Sequence, residues 1–148
     1  MRTTVLLILS ALLLAGCGDP VKEEVIHYKK QLAAILFFAD TTKTGFQMVQ
    51  KMPDFGPNTR TDVIPKYQEK MADLQAIHPK NETIRRIHEQ LIECQQKQID
   101  GFFMVAAVKE HQSGVTPDQA GAAMQEAILC QGRCLNELTE FGAKHGVK

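Results

Sequence analysis

The chain has 148 residues, and its 17 basic and 17 acidic side chains give a formal net charge of zero. That balance leaves no electrostatic case for a nucleic-acid partner. With no Trp and only 6% aromatic residues, the chain also lacks stacking platforms for bases or sugars. The length suits one domain with a real core, and no repeat or low-complexity tract divides it.

Met1-Arg2 supplies a short positive start, and Val5 to Leu14 is an apolar run interrupted only by Ser10. These are the n-region and h-region of an export signal, and the run is short for a bilayer span. It ends in Leu14-Ala15-Gly16-Cys17, which resembles the lipobox of bacterial lipoproteins. There, small residues let the signal peptidase reach the bond before a diacylated cysteine. The resemblance covers about the first twenty residues. It implies that residues 1–16 are a removed signal peptide and that Cys17 becomes the lipidated N-terminus, carrying palmitate-type acyl chains. Two or more such chains hold a protein stably in the bilayer, at about 0.8 kcal/mol per buried methylene. Gly18 at the following position points toward the outer membrane. The expected location is therefore the bacterial cell envelope, facing the periplasm, with residues 17–20 as a short lipidated tether. Residues 21–148 then form a single helical domain held close to the membrane.

The body is helical in pattern. Val25, Tyr28, Leu32, Ile35, Leu36, Ala39, Phe46 and Val49 recur at three- and four-residue steps and predict one long amphipathic helix over 21–52. The run MPDFGPNTRT, with two prolines and a glycine, breaks the chain. A second helix is expected over 61–77, burying Val63, Ile64, Tyr67, Met71, Leu74 and Ile77. Pro65 is tolerated only in its first turn. His78-Pro79 ends that helix and Asn81 caps a third, which runs to about Glu110 with Ile84, Ile87, Leu91, Phe102, Val105 and Ala106 on one stripe. His111 to Val115 reads as a turn. Thr116-Pro117-Asp118 is a strong helix start: a capping hydroxyl, proline at the first helical position and an acid facing the dipole. The fourth helix is expected to bury Ala120, Met124, Ala127, Ile128, Leu135, Leu138 and Phe141 and to fray near Gly142. Four helices joined by short links predict an all-α, antiparallel, up-and-down four-helix bundle.

With Cys17 assigned to lipid, Cys94, Cys130 and Cys134 remain in an oxidising compartment. In an antiparallel hairpin of the third and fourth helices, residues equidistant from the turn lie level. The midpoints of 94/130 and 94/134 are 112 and 114, so Cys94 is level with either partner. Cys94 and Cys130 both flank their apolar stripes whereas Cys134 lies nearer the centre, which favours a Cys94–Cys130 disulfide over Cys94–Cys134. The third thiol is then a buried inert cysteine, a resolving thiol that makes the trio a redox relay, or an intermolecular partner.

ILCQGRCLNEL is not a c-type haem site, because three residues separate its cysteines and Leu135 follows. Of five histidines only His88 borders a buried stripe; it reads as a core-edge histidine bonded to a neighbouring helix and is the weak candidate for a metal. His88 and Cys94 lie about 120 degrees apart on the helix and do not converge. Glu23/Glu24 and Asp118 with Glu126 read as solvated carboxylates, and no catalytic constellation or cofactor motif is present. The functional expectation is a non-enzymatic, membrane-anchored lipoprotein acting as an interaction or structural module, with an envelope protein as partner. The alternative is a small periplasmic carrier for a metal or apolar ligand, motivated by Gln95 and Gln98 on the buried side of the third helix.

Overall fold

The structure is a computed structural model and describes residues 18–35, 58–112 and 114–147. The signal segment, Cys17 and the expected helical stretch 36–52 lie outside the described residues. Four helices carry the rest: α1 Pro20–Ala34, α2 Ile64–Gln75, α3 Glu82–Lys109 and α4 Pro117–Lys144. A π-helical turn, Thr59–Val63, leads into α2. No strand occurs among the described residues. The architecture is the all-α bundle that the periodicity predicts.

The α3–α4 hairpin is its spine. At the end of α3 the backbone turns left-handed at His111 (φ 55), with His111 N donating to Val108 O and Gln112 N to Ala107 O. These are the two bonds of a Schellman cap. Gly114 (φ 107) takes a conformation that suits glycine, and the chain re-enters helix at Thr116. There the hydroxyl accepts from Gln119 N while the Gln119 side chain accepts from Thr116 N, a complete capping box. Ion pairs Arg86–Glu137 and Lys97–Glu126 bridge the two helices on their outer face.

The second helix runs antiparallel to α3. Its start packs at the turn end, where the Tyr67 and Phe102 rings meet at a 60° tilt with centroids 4.6 Å apart and Arg60, just before the helix, pairs with Glu110 at 2.7 Å. Its last turns, through Leu74 and Ile77, join Ile84 and Ile87 at the opposite end. The helix expected over 61–77 is regular α only from Ile64. Pro65 has no amide hydrogen to donate, so the ladder resets there, and the wider turn before it closes with Ile64 N donating to Thr59 O.

Helix α1 runs parallel to α3 and antiparallel to α4. Its Glu24 carboxylate accepts from Lys80 N (2.6 Å) and Asn81 N (2.8 Å), and its Tyr28 reaches His88. Glu24 is thus not the merely solvated acid that its sequence position suggests. It occupies the positive end of α3 beside Asn81, whose own side chain caps Thr83 N and Ile84 N. The fourth helix also runs past the expected fray at Gly142. That glycine is buried against α1, where an added Cβ would lie 3.1 Å from Val25 Cγ1. The helix closes at Gly146 (φ 71), with Val147 N donating to Gly142 O and Gly146 N to Ala143 O. Ile128, Leu135 and Phe141 are half-buried rather than fully covered.

Two apolar clusters fill the bundle. One gathers Val25, Tyr28, Leu32, Leu74, Ile84, Leu91 and Leu138 around the cysteines. The other, toward the α3–α4 turn, gathers Ile64, Tyr67, Met71, Ile99, Phe102 and Met124. Between them, α3 and α4 place a layer of glutamines.

Candidate functional site

The buried face of α3 carries His88, Leu91, Cys94, Gln95 and Gln98 in successive turns. Opposite them, α4 presents Leu138, Cys134, Gln131 and Ala127. The hairpin register therefore stacks three polar or sulphur-bearing levels along one seam.

At the lowest level the Tyr28 hydroxyl lies 3.0 Å from His88 Nδ1, with the rings edge to face at 5.7 Å. His88 is 4% exposed, with the Ile77 backbone nearby. A neutral ring with its hydrogen on Nε2 leaves Nδ1 to accept from the Tyr28 hydroxyl. Burial holds the His88 pKa below the ordinary histidine value, and nearby His78 adds to this while Glu89 opposes it. Burial likewise pushes the Tyr28 hydroxyl well up. His88 thus sits as a core-edge histidine tied to a neighbouring helix, and the Tyr28 hydroxyl occupies its Nδ1.

The middle level holds the cysteines. Cys94 and Cys130 form the bridged pair, with Cα atoms 5.5 Å apart, and Cys134 is the remaining free thiol. Cys134 is 5% exposed and its Sγ lies 3.7 Å from Cys94 Sγ. Burial raises its pKa, Glu137 adds to the effect, and Arg133 works against it. All three cysteines line a cleft of about 340 Å³ whose other walls are Gln90, Glu93, Arg133 and Glu137.

At the third level Gln131 Nε2 donates to Gln95 Oε1 at 3.2 Å and to Gln98 Oε1 at 2.6 Å. All three glutamines are buried, and the amide nitrogens of Gln95 and Gln98 find no acceptor among the described residues. Gln131 went unremarked in the sequence, yet it had a signal. It and Gln95 straddle the same turn, centred near 113, as the cysteine pair does.

A larger open cleft of about 500 Å³ lies at the end where α1 begins, walled by Glu23, Glu24, His27, Tyr28, His78 and Lys80. Among the described residues no three His, Cys, Asp or Glu side chains come together as a metal ion would require. His88 and Cys94 share the buried face of α3 but sit on different levels of the seam. No family model matches the chain, and no curated protein or solved structure does. What the arrangement offers chemically is thus read from the seam itself: a neutral histidine, a disulfide in contact with a thiol, and an amide layer.

Proposed function

We propose that the chain is a lipid-anchored lipoprotein of the bacterial envelope whose helical bundle serves as a non-enzymatic interaction module. The lipobox-like Leu14-Ala15-Gly16-Cys17 supports the anchor. The observation that carries the reading is how soon folded structure begins after Cys17. Helix α1 starts at Pro20, and Asp19 caps it by accepting from Val21 N at 2.9 Å. The same carboxylate meets His145 Nδ1 at 2.9 Å, beyond the last turn of α4. That contact holds the Asp19 carboxyl below the usual carboxylate range. Three residues span at most about 11 Å, so acyl chains on Cys17 hold this end of the bundle against the bilayer. The α3–α4 turn then stands a helix length away, about 42 Å at 1.5 Å per residue, presented to partners in the periplasm.

Metabolic labelling with palmitate, combined with fractionation of wild type and Cys17→Ala, tests the anchor. Label in the wild type and a soluble, unlabelled variant are expected; a variant that still sediments with membranes defeats the reading. Crosslinking in intact envelopes then tests the module, which fails if the chain crosslinks to no protein from any face of the bundle.

The carrier alternative has the 500 Å³ cleft at the α1 end in its favour, since it mixes aromatic, imidazole and carboxylate walls. Native mass spectrometry of protein taken directly from envelopes separates the two readings, because a carrier retains a stoichiometric added mass.

A further inference from the structure

The cysteine level brings three sulphurs into successive contact. Cys94 sits at its centre, bridged to Cys130 and 3.7 Å from the Cys134 thiol. That separation is close to the near-attack range of about 3–3.5 Å, and thiolate attack on a disulfide sulphur is how such bonds exchange. Both candidate partners lie on one face of α4, one helical turn apart, so either bridges to Cys94 without a change in hairpin register.

We propose that Cys94, Cys130 and Cys134 form an internal thiol–disulfide exchange relay. The Cys134 thiolate attacks Cys94 Sγ; the Cys94–Cys134 bond forms as the Cys94–Cys130 bond breaks, and Cys130 departs as the thiolate. The proton lost by Cys134 to water is regained from water by Cys130. No electron leaves the chain, so the step needs no oxidant or reductant. Its consequence is positional. Before exchange the one thiol of the trio is Cys134, buried between the helices; afterwards it is Cys130, half-buried at the flank of α4. The chain therefore alternates between a form that hides its thiol and a form that offers it to solvent.

The cleft beside the trio supplies the rest. It reaches all three cysteines and opens between Glu93 on α3 and Arg133 and Glu137 on α4, so water can take and return the proton. The charged groups facing Cys134 are Glu93 and Arg86 from α3 and Arg133 and Glu137 from α4; the protonated Tyr28 approaches from α1. Burial and the two acids keep the thiol protonated near neutrality, which makes the relay slow there and faster as pH rises.

Disulfide mapping on the full chain, purified from envelopes in detergent, tests this directly. Trypsin cuts after Arg133, between the two candidate partners of Cys94, so each isomer gives its own linked peptide pair. Samples held at about pH 6, 7 and 8 are quenched in acid, denatured and alkylated with N-ethylmaleimide before digestion. The expected result is a Cys94–Cys134 peptide that grows with time, an equal gain of alkylated Cys130, and an initial rate rising about tenfold per pH unit. Cys134→Ser should show neither signal. Cys130→Ser should close Cys94–Cys134 with wild-type helix content, because the fold already accommodates the product. The proposal is overturned if wild type held overnight at about pH 8.5 yields only the Cys94–Cys130 pair, with alkylation confined to Cys134. It is equally overturned if oxidised Cys130→Ser leaves both remaining thiols free.

Discussion

Replacing Gln131 by Met tests whether the glutamine layer is a liability that the bundle tolerates or a source of stability. The side chain keeps its length and volume but loses the amide that donates to Gln95 Oε1 and Gln98 Oε1. Those two carbonyl oxygens are then left buried without a donor, at about 1–3 kcal/mol each, so the single variant should be destabilised by about 2–6 kcal/mol. The triple variant Gln95→Met/Gln98→Met/Gln131→Met removes every polar group of the layer together. It also removes the two amide nitrogens that find no acceptor among the described residues. Its stability should return to within about 1 kcal/mol of wild type or exceed it, because apolar replacement of a partly satisfied network is neutral or favourable. Urea unfolding followed by circular dichroism, compared at constant m, gives both numbers. A Gln131→Met protein within about 0.5 kcal/mol of wild type would refute the reasoning. So would a triple variant as unstable as the single one, since the loss would then come from packing.

Four further outcomes follow from the same geometry. Cys94→Ser removes the bridge across 36 residues and should cost about 4 kcal/mol on the chain-entropy model, whereas Cys130→Ser should lose far less because Cys134 takes its place; non-reducing thermal melts distinguish the two. The His88 pKa is lower in the folded chain than its unfolded value of 6.5, so the unfolded state takes up protons first on acidification. Stability should be whole above that value and fall as pH drops below it, and His88→Gln should flatten this part of the profile in urea titrations. Tyr28→Phe leaves His88 Nδ1 without its donor and should cost about 1–3 kcal/mol in the same assay, with helix content unchanged. His111→Gly relieves a left-handed residue in the cap of α3 and should raise stability by about 0.5–1 kcal/mol; a loss there would mean that the His111 side chain contributes contacts of its own.

The helices were legible because each carries its own local instructions. Asn81 and Thr116-Pro117 satisfy the first amides of α3 and α4, and the buried stripes of both helices follow from spacing alone. Their register was legible too, since two helices joined by a short turn must place equidistant residues level. That reasoning put Cys94 beside Cys130 and Cys134. What it missed required knowing where a helix distant in sequence comes to lie. Glu24 is 57 residues from Asn81, and nothing near either residue says that one closes the first turn of the other. The partnership of His88 with Tyr28, 60 residues away, has the same origin, as does the burial of Gly142 against Val25.

By itself, then, the sequence determined the elements, their capping and the α3–α4 register, because these depend on contacts between near neighbours or across one tight turn. Its lipobox-like start also supplied the only clue to location. Tertiary structure alone decided which polar groups meet inside. The placement of α1 beside α3 set the Tyr28 hydroxyl against the buried His88 ring. The approach of α3 to α4 set one thiol against one disulfide and left two amide nitrogens of the glutamine layer without an acceptor among the described residues. Such outcomes turn on shifts of an ångström or two between helices, far finer than a hydrophobic period can specify.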